Sequence, residues 1–213
     1  MTIKESYNEW AGQYDNNLNR TRDLEARALR ECLHEIPPGH WLEAGCGTGK
    51  NTGWLAQKAE ILTAADFSEG MLQVAKEKNV SENVEFITMD LCAPWPFKAG
   101  YFFDAIIFSL VLEHIEDLPV LMKKAAAVLQ HKGLIYIAEL HPYKQYSGSK
   151  ARFMVGDTLH ELTCYTHHVS DYLSAASSAG LSLHAIKEYF DEEPEGRGKG
   201  LLPRLLVMIF QKK

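Results

Sequence analysis

Apolar residues in this chain recur in two rhythms, helical and extended, that take turns from about residue 21 to residue 140. Leu24, Ala28, Leu29, Cys32 and Ile36 fall at steps of three and four, which predicts a helix over 21–35 that Pro37-Pro38 must stop. A short apolar run from Leu42 predicts a strand, a helix is expected over 51–60, and 61–66 predicts a second strand ending in Asp66. Phe67, Ser68 and Leu72 suit an N-cap with a hydrophobic staple, so the next helix is expected directly behind that acid. Residues 84–89 read as a third strand closing on Asp90-Leu91, and Pro94-Trp95-Pro96-Phe97 as a rigid turn. The run 103–112 is almost continuously apolar, as a central strand covered on both faces should be. Leu118, Leu121, Met122, Ala125, Val128 and Leu129 share one helical face over 118–129, and 134–140 is a fifth strand ending at His141-Pro142.

Strand and helix therefore alternate, which implies an α/β domain with a doubly wound, mostly parallel sheet and right-handed crossovers. Before it, Tyr7, Trp10 and Tyr14 form one aromatic stripe of a short helix. After it, 141–168 breaks the alternation and is expected to be an insertion over the ligand side of the sheet. A helix over 170–179, stopped by Gly180, then precedes strands at 181–190 and 205–210, joined by an acidic, glycine-rich link over 191–200.

Composition narrows the partners. The 213 residues suit a single domain spanning 1–213. A net charge of −6, without any long basic run, disfavours nucleic acid. The first residues, Met1 to Ser6, lack an apolar leader core and no segment approaches the roughly 20 apolar residues of a membrane helix, so a cytoplasmic protein without a membrane partner is expected. Cys32, Cys46, Cys92 and Cys164 are scattered and form no CxxC pair, which reads as free thiols, Cys32 as a buried small hydrophobe. No metal site is expected; His160, Cys164, His167 and His168 stand at spacing unlike that of zinc ligands.

The stretch Leu42-Glu-Ala-Gly-Cys-Gly-Thr-Gly-Lys-Asn-Thr52 carries the chemistry. A strand that must turn at once into a helix, with a ligand against its backbone, needs residues that tolerate positive φ and lack a Cβ. Gly45, Gly47 and Gly49 meet that need, but a dinucleotide fingerprint from Gly45 would require glycine where Lys50 stands. The pattern Glu-x-Gly-x-Gly-x-Gly from Glu43 resembles the first motif of the class I S-adenosylmethionine-dependent methyltransferases. Asp66, 21 residues after Gly45 at a strand's carboxyl end, lies in Asp-Phe-Ser-Glu-Gly-Met-Leu, which is similar to that family's second motif.

The resemblance implies a Rossmann-like, seven-stranded sheet closed by a reversed C-terminal hairpin, and S-adenosyl-L-methionine as cofactor. It implies Asp66 on the ribose hydroxyls and Asp90 on the adenine amino group. The full cofactor set would be Tyr14, Glu43, Ala44, Gly45, Gly47, Asp66, Phe67, Met71, Asp90, Leu91 and Ser109. The family's Tyr-x-x-Trp-Ala-x-x-Tyr-Asp opening makes Tyr7 and Tyr14 lid candidates within a helical lid of about residues 1–36. The implied reaction is methyl transfer to a small-molecule acceptor by in-line displacement. Alternatives are another use of the same cofactor or a non-catalytic binding module.

His114 and His141 each follow a buried strand on the ligand edge, and with Tyr146 they are the candidates for a base. Lys144, Lys150 and Arg152 cluster in the insertion, which would suit an anionic group on the acceptor.

Overall fold

The computed structural model describes residues 3–16, 19–79, 81–98, 100–148, 152–155, 158–161, 163–191 and 202–213, with 152–155 and 158–161 by backbone alone. Two helices, α1 (Ile3–Trp10) and α2 (Arg20–Leu33), precede β1 (His40–Ala44). The alternation follows as α3 (Thr52–Lys58), β2 (Ile61–Asp66), α4 (Glu69–Lys78), β3 (Val84–Thr88), β4 (Phe103–Ser109), α5 (Leu118–Ala127) and β5 (Leu129–Leu140). Then come α6 (Pro142–Tyr146), the hairpin β6 (Arg152–Val155) and β7 (Thr158–Glu161), α7 (Val169–Ser178), β8 (Leu181–Phe190) and β9 (Pro203–Lys212).

One seven-stranded sheet runs β3-β2-β1-β4-β5-β9-β8. The first five strands are parallel; β9 lies antiparallel to β5 and to β8, so the last two strands form the reversed hairpin expected. The chain steps outward from β1 to β3 and returns to lay β4 on the other side of β1. That reversal opens a crevice above the carboxyl ends of β1 and β4, where ligands bind in sheets of this kind.

Period-two alternation on β4 fills two cores. Ile106 and Phe108 face the layer of α5 and α7 with Leu121, Met122 and Tyr172, while Ala105 and Ile107 face Leu29, Leu33 and Leu55 of α2 and α3. Both faces are covered, which is why the 103–109 run carries almost no polar residue.

Three elements differ from their sequence patterns. The aromatic stripe is not one helix: α1 ends at Trp10, where a turn around Gly12 bonds Gln13 N to the Trp10 carbonyl, and Tyr14 opens a separate 3-10 turn. β4 ends at Ser109 rather than 112, because Leu110 takes a left-handed φ of 53° and turns the chain into a 3-10 turn at Leu112–His114. β5 starts earlier, at Leu129, through a register shift opposite Phe103 and Ala105. Cys32 is half-buried, with its thiol against the Tyr189 hydroxyl at 3.4 Å; all four cysteines are free. The link at 192–201 lies outside the described residues, and no described helix is long and apolar enough to cross a membrane.

Candidate active site

The glycine loop turns tightly against β2. The amides of Gly45 and Cys46 both donate to the Ala65 carbonyl, at 2.8 and 2.9 Å. Gly45 has φ +84°, and a Cβ there would lie 2.6 Å from Val111 Cγ2, so only glycine lets the loop reach the turn behind β4. Gly47 has φ +53° and nothing within 4 Å of where its Cβ would be, the mark of backbone left open toward a ligand. Asp66 joins this loop to the next helix: its carboxylate accepts the Gly47 amide at 2.9 Å and the Ser68 amide at 2.8 Å. Burial raises its pKa, against the pull of those two amides. Ser68 caps α4 by accepting the Met71 amide, as the sequence predicts.

Three more carboxyls are buried beneath the loop. Glu43 is held by the Thr52 hydroxyl at 2.5 Å and burial pushes it up to about 8. Glu25 of α2 accepts from the Asn51 side-chain Nδ2 at 2.8 Å and its pKa is likewise raised by burial. Glu139 of β5 accepts the Val111 and Leu112 amides at 2.9 and 2.8 Å, and burial, then the nearby Glu113, pushes it up to about 8. Glu139 thus anchors the turn that the strained Leu110 begins.

The N-terminal segment closes over the loop. Asn8 Oδ1 accepts from the Ser68 hydroxyl at 2.7 Å and the Gly70 amide at 3.1 Å, which fixes α1 on the start of α4. A Cβ at Gly70 would lie 3.1 Å from the Asn8 carbonyl, so the helices meet here because Gly70 has no side chain. Asp15 accepts from the Thr48 hydroxyl at 2.9 Å and pairs with Lys78, pinning the 3-10 turn to the glycine loop. Arg22 donates to the Tyr14 carbonyl at 2.8 Å and lies 4.2 Å from the centre of its ring.

The two candidate histidines differ in tautomer. His114 Nδ1 lies 3.2 Å from the Thr163 carbonyl, which can only accept, so Nδ1 carries the proton. In the neutral ring Nε2 is then a lone pair, and it receives the Tyr7 hydroxyl at 2.8 Å. His141 is the reverse. Its Nδ1 accepts the Tyr143 amide, capping α6, so its Nε2 is the protonated atom and donates to Glu188 at 3.1 Å. A ring with its lone pair engaged by a backbone amide has no basic atom to offer.

These elements enclose a cavity of about 280 Å3. Of the residues expected to hold the cofactor, Tyr14, Glu43, Gly45, Gly47, Asp66, Phe67, Met71, Asp90, Leu91 and Ser109 line it. Ala44 does not; it is buried in the core beneath the loop. His114 and Tyr7 line it too, whereas His141 and Tyr146 stand outside the lining. The Tyr146 hydroxyl is 2.5 Å from His168 Nδ1 on an exposed surface. Neither residue therefore meets the cavity as the sequence suggested: His141 is engaged by Tyr143 and Glu188, and Tyr146 by His168.

Other expectations turn on the same geometry. Lys144 lies 4.0 Å from Asp191, while Lys150 and the side chains of Arg152 and His160 fall outside the described residues. His167 Nε2 donates to the Ile115 carbonyl at 2.7 Å, and no cluster fit to hold a metal occurs among the described residues. Arg22, Glu25, Asn51 and Val111 line the cavity without having been singled out, since only the fold carries them there.

The lining suits a nucleoside with a polar tail. Met71, Met89, Leu91 and Phe67 form apolar walls beside Asp66, with exposed Asp90 at the rim. Farther along, the Ser109 hydroxyl stands beside the Glu25 carboxyl and opposes the effect of its burial, so these two polar groups of the cavity wall serve each other.

Comparison with known proteins agrees. A family profile described as a methyltransferase domain matches residues 42–137. A malonyl-[acyl-carrier protein] O-methyltransferase of Dechloromonas aromatica is 30% identical over 190 residues, covering 87% of this chain and 68% of that one. An uncharacterized methyltransferase of Emericella nidulans is 27% identical over 217 residues, covering 84% and 75%. The solved structure titled DhpI-SAM-HEP complex has a TM-score of 0.77 at 21% identity, covering 98% and 95%.

Proposed function

This chain belongs to the S-adenosylmethionine-dependent methyltransferases, and from that premise we propose that it methylates a small molecule seated between α1 and His114. The observation that carries the reading is the continuity of one cavity from Asp66 and the glycine loop to His114 Nε2. S-adenosylmethionine, when bound, supplies a methyl group already activated by its sulfonium. Asp66 would hold the ribose, Asp90 and Leu91 the adenine, and the backbone around Gly45 and Gly47, with Tyr14, the amino-acid end.

The remaining work belongs to positioning and to one proton. The lid excludes water and holds the acceptor in line, which lowers the barrier without any covalent help from the protein. His114, fixed as the Nδ1–H tautomer by the Thr163 carbonyl, receives the proton that the acceptor loses.

Calorimetry with S-adenosylmethionine and S-adenosylhomocysteine, followed by mass spectrometry of acceptor mixtures, tests this. Binding of both, with acceptors gaining one methyl group, is the expected result. Failure of either ligand to bind, or a product carrying some other group, would overturn it.

A further inference from the structure

The lid places a phenol on the proposed base. The Tyr7 hydroxyl lies 2.8 Å from His114 Nε2, its ring edge-on to the imidazole with centroids 5.6 Å apart and to Phe67 at 6.0 Å. Burial, then the nearby Tyr14 and Glu113, holds the pKa of that hydroxyl well above its ordinary value, so it stays an O–H donor. This closed arrangement is the one an acceptor must replace: one weakly acidic O–H aimed at Nε2, on an apolar, flat body.

The surroundings select for charge as well. At this end the described lining is Ile3, Phe67, Val111 and Ile115 with Tyr7 and His114, and none of these carries a fixed charge. The two cations of the cavity are engaged elsewhere, Arg22 with Tyr14 and Lys50 with Asp23. A carboxylate stands near instead: Glu113 Oε1 is 3.9 Å from His114 Nε2. An anionic acceptor would thus lose its hydration, meet no cation among the described residues, and face a like charge.

We propose that the acceptor is an uncharged, apolar molecule presenting a phenol-like or enol-like hydroxyl, and that Tyr7 is its stand-in, competing with it for His114 Nε2. This rests on the methyltransferase reading and deepens it. In the transfer, the acceptor's O–H bond breaks, its proton passes to Nε2, and its oxygen forms the new bond to the methyl carbon as the carbon–sulfur bond of S-adenosylmethionine breaks. S-adenosylhomocysteine leaves, and the imidazolium returns its proton to water.

Three probes sharing one ring system separate the possibilities by calorimetry on the intact chain saturated with S-adenosylhomocysteine: 2-naphthol, 2-naphthoate and 2-naphthylmethylamine. The naphthol should bind at least about tenfold more tightly than either charged probe. Tyr7→Phe, which keeps the ring and removes the competing hydroxyl, should tighten naphthol further by a few fold. Equal or tighter binding of the carboxylate or the amine, absence of naphthol binding, or weaker naphthol binding to Tyr7→Phe would each overturn the proposal. Binding of S-adenosylhomocysteine, measured first in the same sample, tells failure of this inference from failure of the reading beneath it.

Discussion

Asp66 has two tasks that share one carboxylate. It fastens the glycine loop to the start of α4 through the Gly47 and Ser68 amides, and it faces the cavity where a sugar's hydroxyls would lie. Asp66→Ala is expected to weaken S-adenosylhomocysteine binding by roughly 1.5–3 kcal/mol, the loss of a charged acceptor for a buried hydroxyl pair; calorimetry reads this directly. The two histidines provide a paired test. His114→Gln, unable to take a proton, should lower turnover on the order of 100-fold, with cofactor affinity unchanged. His141→Ala should instead lower the melting temperature by loss of a cap worth about 1 kcal/mol, leaving turnover as it was. Their tautomers make opposite outcomes the natural expectation.

Among the elements, α1 has a single buried residue, Ser6, and is fastened to the start of α4 by hydrogen bonds. It is only 8 residues long, too short to hold helix by itself, and it rests on Asn8 and on the absent side chain of Gly70. Gly70→Ala separates two effects of opposite sign. Alanine favours helix over glycine by about 1 kcal/mol, which should firm up α4. The new Cβ would sit 3.1 Å from the Asn8 carbonyl, so α1 must lift by a few tenths of an ångström. The expected result is faster amide exchange over residues 3–10 with no loss of global melting temperature. Unchanged exchange there would show that α1 docks by other contacts.

At the scale of the whole molecule, buried acids set the pH dependence. Glu43 and Glu139 are each pushed up to about 8 by burial, far above a carboxyl in the unfolded chain. The folded state therefore binds more protons than the unfolded one between the ordinary carboxyl range and about pH 8. Stability is complete below that window and declines as pH rises through it. Melting temperatures should fall from about pH 5 to about pH 8, the reverse of acid denaturation. Glu139→Gln, which mimics the protonated acid and keeps an oxygen for the Val111 and Leu112 amides, should flatten that slope and exceed the natural chain in stability near pH 8. A slope as steep in the variant would assign the dependence to other groups.

The local code reached as far as local physics does. Apolar runs located the inner strands of the main sheet, because a strand covered on both faces must be apolar wherever it lies in the sequence; the more exposed edge strands β3 and β8 show only partial alternation. The glycine loop and Asp66 were equally legible, since the turn from β1 into α3 and the acid ending β2 are fixed by residues within a few positions of each other. What the sequence could not determine were contacts whose partners stand far apart along it. Tyr7 meets His114 across 107 residues, Val111 meets Glu139 across 28, and Asn8 meets Ser68 across 60. Two histidines that looked alike, each just beyond a buried strand, were parted only by what folding laid against their rings: a carbonyl at one Nδ1, an amide at the other. A carbonyl can only accept and an amide only donate: the tautomer of His141 is settled locally, by Tyr143 two residues on, whereas that of His114 was decided only by the tertiary contact with Thr163, 49 residues away.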